Sequence, residues 1–374
     1  MRLSLHMLVL NGAKVLDRAL RPLAGVVDEI SFTDTGSTDG TPEMIEALAR
    51  TLGFGCKSVL LSPETHPELY FIDEPATFKF RFPRSVGFTG LPQLRDWASA
   101  RNLSLSMCQG DYVLRIDADD EVLRPDNILP SLAMLDTLPL IDFLMCPYEI
   151  VSGGIIDHVT SHHFFWRNKP EHRFAYVLHE HIPGRALDGS NWLVVQSGLL
   201  FRDWRDSQGL GVRVPYRNFK VLLLEYERCL AAGQPVDGHV VLTLADEGWP
   251  VDPEFALQLI TSREFPHALG WAHYIRGECL RCLSRPDEAL AAFEAAGREG
   301  ELRGILQAGF LQHEMGLGDC QSTLRTALNR RQSAMSCLIS MVDVQKALRL
   351  LSTRCSVVPI ENGRRFYDKS KKDQ

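Results

Sequence analysis

The sequence predicts an α/β domain, a mostly parallel sheet flanked by helices, followed by an all-α domain of helical-repeat type. Three observations carry this expectation. In the first half, short β-branched or Leu-rich runs alternate with amphipathic stretches, the rhythm of βαβ units. Two of the apolar runs end in acidic or hydroxyl-rich turns, and from near Pro215 the pattern becomes purely helical. A length of 374 residues also suits two folded units better than one.

Taken in order, strands are expected at 3–10, 28–33, 57–62 and 112–116, with helices at 13–22, 40–52 and 92–108. The second helix has good start chemistry, with Asp39 as a cap, Pro42 in the first turn, and Glu43 and Glu46 at the positive end of the dipole. Residues 63–91 are rich in Pro and Phe without periodicity. A long structured loop in a compact α/β domain is usually functional, so this stretch is expected to be an insertion near the site. A helix at 126–137 leads into the strand-like FLMCPYEI, a turn at Gly153-Gly154 and a second strand-like run through HHFFWRN. In the helical half, Gly277, Ala289, Phe293 and Ala296 stand at the small and aromatic packing positions of a tetratricopeptide-like unit, with PDEAL opening its second helix. Flanking stretches at 240–262 and 304–328 keep the length of a helix pair without those residues, so an ordinary helical bundle is the competing expectation. The domains are accordingly 1–210, 211–360 and a flexible tail at 361–374.

Composition narrows the partners. A formal charge of -7 and a pI near 6.0 argue against a broad nucleic-acid-binding surface, which needs clustered Lys and Arg. No run has the length of a transmembrane segment, and the apolar opening gives way to Asn11-Gly12 too soon for a signal peptide, so a cytoplasmic location is expected. Nine cysteines, most of them in apolar stretches, read as reduced core residues. Cys279 and Cys282 form a CxxC in a helical pattern, with no second pair at zinc spacing.

The strongest chemical signal is RIDADDE, residues 115–121, directly after the apolar run DYVL. Carboxylates crowded at the end of a buried strand repel one another, and a cation or developing positive charge relieves that. In an extended segment Asp117 and Asp119 would share one side, as needed to hold a hard divalent ion that also takes diphosphate oxygens. The bland reading is that Asp119, Asp120 and Glu121 are solvated loop residues or helix caps. In TDTGSTDGT, residues 33–41, Asp34 stands at a strand end where open α/β sheets bind ligands, and its carboxylate can accept from a ribose or base N–H. Ser37, Thr38 and Asp39 serve equally well as caps without a ligand. Arg101, on the helix before the acidic strand, would orient the acidic cluster, meet a phosphate, or stand as a structural arginine.

Together with Asn11-Gly12, ARN at 100–102 and His179-Glu180, these segments resemble glycosyltransferase family 2, the GT-A fold, over roughly residues 1–205. Two departures stand out: the family usually has Asn-Glu where this chain has Asn11-Gly12, and residues 63–91 are longer than typical. The resemblance implies a nucleotide-diphosphate sugar, often a UDP-sugar, over the carboxyl edge of the sheet, with inversion at the transferred sugar. It implies Asp34 on the nucleoside, Asp117 on the ribose or sugar, and Asp119 on Mn²⁺ or Mg²⁺, with Asn11, Asp39, Arg101 and Ala118 also lining the donor site.

The stretch HHFFWRNKPEHRFAYVLHEHI, residues 162–182, resembles members with helical-repeat extensions. Here Glu180 is the candidate general base, His179 a further metal ligand and Arg167 a diphosphate contact. A histidine in such a crowd is also often a hydrogen-bonded structural residue. Trp166 and Trp192 either stack on a sugar or pack in the core. The expected acceptors include a peptide or protein, a glycan, a small molecule or a modified nucleobase, and the helical domain would shape that site or recruit a protein. A nucleotidyltransferase is a poor match, because Asn11-Gly12-Ala13-Lys14 is no phosphate loop. The non-enzymatic alternative is an inactive scaffold that binds a protein through its helices.

Overall fold

The computed structural model describes residues 1–152, 154–182, 192–194, 199–204, 216–333 and 341–352. The tail expected at 361–374, Gly153 and Pro215 lie outside the described residues.

The first half is a mixed, mostly parallel sheet with helices on both faces. Its strands are β1 (Leu3–Val9), β2 (Glu29–Asp34), β3 (Gly55–Leu60), β4 (Tyr70–Ile72), β5 (Pro92–Leu94), β6 (Tyr112–Arg115), β7 (Asp120–Val122), β8 (Phe143–Ser152), β9 (Ile155–Arg167), β10 (Trp192–Val194) and β11 (Phe201–Trp204). Among the described residues nine of them form one sheet in the order β3-β2-β1-β6-β9-β8-β11-β7, with β10 paired to β8, while β4 and β5 form a separate antiparallel pair. From β3 to β6 the strands are parallel, and β9 then runs antiparallel to β6. The hairpin between β8 and β9 turns at Gly154, whose φ is +76°.

Helices of this half are α1 (Leu16–Leu20), α2 (Thr41–Leu52), α3 (Trp97–Leu105) and α4 (Ile128–Asp136). One face of the sheet, with Leu5, Met7, Ile30 and Phe32, is sealed by Leu16 and Leu20 of α1, Ile45 and Leu48 of α2, and Leu132 and Leu135 of α4. On β2 the alternate residues facing α3 are small and polar: Ser31 Oγ donates to Ser104 O at 2.7 Å and Thr33 Oγ1 to Ala100 O at 2.9 Å. That polar seam brings α3, and Arg101 on it, close to the sheet. The helix expected at 92–108 begins only at Trp97, because Asp96 accepts from Ser99 N at 2.9 Å as its N-cap and residues 92–94 are extended in β5.

The second half is a run of stacked helices: α5 (Arg217–Ala231), α6 (Gly238–Gly248), α7 (Pro253–Thr261), α8 (Leu269–Cys282), α9 (Pro286–Arg298), α10 (Leu302–Glu314), α11 (Cys320–Ser333) and α12 (Met341–Ser352). In the α8–α9 pair a Cβ on Gly277 would stand 2.4 Å from the Phe293 ring, so glycine is what lets that ring pack. Cys279 and Cys282 lie on α8 as free thiols. No described helix is long and apolar enough to cross a membrane.

Residues 63–91 join the halves. Phe80 and Phe82 meet Phe219 of α5 at centroid distances of 5.8 and 5.7 Å, and Phe80 meets Phe255 of α7 at 4.9 Å. At the heart of this knot Lys220 of α5 is fully buried, its Nζ 2.7 Å from Asp73 Oδ1, 2.6 Å from Gly87 O and 4.1 Å above the Phe88 ring. The other Asp73 oxygen accepts from Thr89 N and Oγ1. Most of the segment therefore docks the helical half, a role that nothing in its aperiodic pattern announces.

Candidate active site

The carboxyl ends of β2 and β6, on either side of β1, bring the first candidate residues to one edge of the sheet. Asp34 closes β2 and is 4% exposed. Its Oδ2 accepts from Gly36 N at 3.0 Å and Ser37 N at 2.8 Å, which bends the chain back, while its Oδ1 is buried with no hydrogen-bond partner. A buried carboxylate oxygen left bare is costly and marks a place where a donor is expected from outside. Beside it stands Tyr70, whose hydroxyl donates to Thr35 O at 3.1 Å and is pushed up to about 12 by burial and then by the Asp34 charge. Sequence reasoning missed Tyr70, which sits in the aperiodic segment.

Asn11 and Asp39 lash the loops after β1 and β2 together. Asn11, at φ +51°, donates its N–H to Ser37 Oγ at 2.7 Å and accepts from Thr38 N at 2.8 Å. Asp39 Oδ2 accepts from Ala13 N at 3.1 Å, and its Oδ1 takes Thr41 N at 3.1 Å and Thr41 Oγ1 at 2.5 Å. Both Asp39 oxygens are thus engaged by the chain itself. Gly12 explains the departure from Asn-Glu: a Cβ there would come within 2.9 Å of the Cβ of Ala118, which is buried under the acidic turn.

The acidic segment is not extended through both aspartates, as the spacing suggested. Asp120 N donates to Asp117 O at 3.1 Å and Asp117 N to Asp120 Oδ2 at 2.8 Å, a tight turn that feeds β7. The turn gives Asp117 and Asp119 different partners. Asp117 faces Arg101 Nη2 at 2.9 Å and Arg115 Nη2 at 3.5 Å. Burial raises its pKa, yet Arg101 and then Arg115 bring the carboxyl down to about 2. Asp119 is pushed up to about 6, by burial first and then by the charges of Asp117 and Asp203, with Arg18 offsetting only a part. Asp120 is structural: it is 2% exposed, takes the Tyr148 hydroxyl on Oδ1 at 2.7 Å, and is held well above the usual carboxylate range by burial and Asp117.

Glu180 arrives from the turn after β9 to complete a quartet. Arg101 Nε lies 2.5 Å and Arg115 Nη2 3.7 Å from Glu180 Oε1. Arg101 is 3% exposed, and its charge survives because Asp117 and Glu180 outweigh the burial penalty and raise its pKa. Burial likewise works against the Glu180 charge, but Arg101 and Arg115 hold its pKa below the ordinary value. Behind Arg101, His6 is fully buried and neutral, lowered to about 3 by burial and then by the Arg101 charge, with Nε2 2.9 Å from Arg101 O. Two arginines against two carboxylates leave the quartet balanced, so Asp119 beside it lacks full compensation. Arg115 was overlooked in the sequence, although a basic residue closing the strand before the acidic run was a readable signal.

Three other candidates are placed elsewhere. His179, at φ +54° and 44% side-chain exposure, directs Nε2 to Glu247 of α6 at 3.1 Å. Arg167 does not join the cluster. It pairs with Tyr112, the first residue of β6, about 10 Å along the strand from the acidic turn. There its guanidinium donates to Ile141 O, Leu135 O and the Tyr112 hydroxyl at 2.7–3.0 Å, capping the end of α4. Trp166 is wholly buried against Phe174 and packs in the core; the Trp192 side chain lies outside the described residues.

Among the described residues no three His, Cys, Asp or Glu side chains gather as a metal cage. Asp119 fits a divalent cation as a single carboxylate ligand, the arrangement used when diphosphate oxygens and water supply the rest.

Residues 83–190 match Glycosyl transferase family 2. The likeness to that family runs from Pro83 through the turn that carries His179 and Glu180. A TPR repeat-containing protein of Synechococcus elongatus is 27% identical over 180 residues, 48% of this chain and 35% of that protein, so the chain spans about a third of the length of the curated relative it matches. Among solved structures, S. aureus TarS in complex with UDP-GlcNAc shares 14% identity at a TM-score of 0.42, over 85% of this chain and 93% of that one. Glucosyl-3-phosphoglycerate synthase from Mycobacterium tuberculosis, solved with Mn²⁺ and UDP-glucose, shares 23% identity at a TM-score of 0.24, over 39% and 43% of the two chains.

The acidic turn holds Asp119 at a cost that can be measured without substrate. Its folded pKa of about 6 exceeds the ordinary 3.8, so the folded state binds more protons across that window and stability falls as pH rises from 4 to 6. The penalty is complete above pH 6. Asp119→Asn is therefore expected to stabilise the metal-free protein by about 1–2 kcal/mol at pH 7.5, after allowing for solvent screening, and by almost nothing at pH 4. Urea denaturation of both proteins at the two pH values checks this.

Proposed function

We propose that the protein moves a sugar from a nucleoside-diphosphate sugar, a UDP-sugar, onto an acceptor nucleophile, with inversion and with the help of Mn²⁺ or Mg²⁺. One observation carries the reading: the bare Oδ1 of Asp34 and the under-compensated carboxylate of Asp119 stand at the same edge of the sheet, at the ends of strands that both pair with β1. A carboxylate oxygen of this kind accepts from a base or ribose donor, and an acidic turn across β1 suits the cation that accompanies a diphosphate.

When bound, the cation would supply Lewis-acid neutralisation of the departing diphosphate. Asp119 would hold it. Arg101 and Arg115 keep Asp117 and Glu180 ionised and oriented, with Asp117 toward the sugar and Glu180 toward the acceptor, whose proton it takes as the anomeric carbon is attacked. Because Glu180 shares Arg101 with Asp117, its basicity depends on how far the bound donor loosens that bridge. The helical half closes the acceptor side of this edge, where His179 meets Glu247.

A melting-temperature screen of nucleotide-sugars with and without Mn²⁺ tests the reading, since a ligand selective for the native state raises its stability. A UDP-sugar is expected to raise the melting temperature only in the presence of the metal. Asp119→Ala is expected to abolish that increment and to lower donor turnover by about 10²-fold or more. A metal-independent shift, or full turnover in Asp119→Ala, sinks the proposal.

A further inference from the structure

The turn that carries Glu180 is gripped from two sides, by the transferase half and by the helical half. On one side α3 holds its beginning: Asn102 exchanges hydrogen bonds with Phe174 N and O at 2.9 Å each, and Trp97 N donates to Val177 O at 2.9 Å. On the other side lies α6. The ring of His239 near its start packs on Tyr176 at 4.4 Å and His181 at 5.1 Å, and Glu247 near its end meets His179. Those two positions are eight residues apart, about 12 Å along the helix, so α6 backs the turn over its length. Leu178 between them is 5% exposed, in one cluster with Phe219 and Val241 of the helical half.

The polar contacts at the far end of α6 form a directed chain. Arg217 Nη2 and Nε donate to Asn218 Oδ1 at 3.1 and 3.3 Å, which fixes the amide so that Nδ2 faces Glu247 Oε1 at 2.9 Å. An arginine has only donors and a carboxylate oxygen accepts. Glu247 Oε1 therefore receives Asn218 Nδ2–H on one side and His179 Nε2–H on the other, so that in the neutral ring the lone pair of His179 falls on Nδ1. Arg217 also lies 4.9 Å over the ring of Trp97, the first residue of the helix that carries Arg101.

We propose that Glu247, supported by Asn218, is a positioning residue of the transferase site: through His179 it fixes the tautomer of that ring and the aim of the adjacent Glu180. The inference rests on the reading of Glu180 as the acceptor-side base, and it makes α6 a wall of the site rather than part of an appended module. A held imidazole with a defined free nitrogen is what a group facing substrate or metal requires, and a carboxylate partner is the usual way to hold one.

Glu247→Ala is expected to lower kcat by about 10- to 100-fold while the donor KM stays within about threefold, the pattern of a displaced reacting group rather than lost donor binding. Glu247→Gln, whose amide oxygen can still accept both hydrogen bonds, is expected to lose less than Glu247→Ala. Imidazole ¹⁵N spectra of the full chain without any ligand give a second readout: His179 protonated at Nε2 in the wild type, and a mixture of tautomers in Glu247→Ala. Wild-type kcat in Glu247→Ala, or equal losses in the two variants accompanied by equal drops in melting temperature, overturns the proposal. So does a wild-type His179 protonated at Nδ1. Failure of the transferase reading would look different, with no nucleotide-sugar turned over by the wild type while the expected tautomer supports the clasp by itself.

Discussion

Replacing Arg101 by alanine is expected to remove turnover and to lower stability by about 3 kcal/mol, since taking one partner from a buried ion pair strands the other charges. Arg101 contacts Asp117 and Glu180 at once, and Glu180 is only 9% exposed. Arg115 lies farther from both and is partly solvated, so it recovers part of the loss; that places the expected effect at the lower end of the range for buried pairs. Lysine at the same position would not restore function, because two diverging contacts need the guanidinium fork. Urea denaturation gives the stability, and a donor turnover assay gives the activity. A stability change within about 0.5 kcal/mol, the size expected of an ordinary surface site, would show that the quartet is not the anchor described above.

The second large effect is expected far from the acidic edge. Lys220→Met leaves Asp73 charged in the phenylalanine knot, both side chains being 1% exposed in the native protein, and is expected to cost about 3–5 kcal/mol. Adding Asp73→Asn should return most of that loss, because the amide oxygen it introduces can still accept from Thr89 while no stranded charge remains. The double-mutant cycle therefore predicts a strong positive coupling, measured as the difference between single and paired losses in urea midpoints. Additive losses would mean that the ion pair does not hold the halves together.

Much of this molecule was legible in its sequence, for identifiable reasons. Strand ends were read within two residues because apolar runs stop where hydroxyl and acidic residues begin, as at Asp34 and just before Asp117. Those same boundaries led to Asp34, Asp117 and Asp119. Strand direction was not readable. Because the β8–β9 hairpin sends β9 back antiparallel to β6, its last residue, Arg167, lands at the end of β6 remote from the acidic turn. The side-by-side placement of Asp117 and Asp119 assumed an extended chain, and the exchange of hydrogen bonds between Asp117 and Asp120 supplied a turn instead. Glu247 and Asn218 carry no local signature at all: on an amphipathic helix they look like ordinary solvated positions, and only tertiary docking gives them a partner.

The phenylalanine knot also bears on how such a protein can be dissected or recombined. A cut made where the helical pattern starts would strip the partner surface from Phe80 and Phe82 and orphan a carboxylate, so the genetic seam and the mechanical seam do not coincide. The unit that travels intact is the helical array together with the strip of chain, buried in the other half's sequence, on which it is moored.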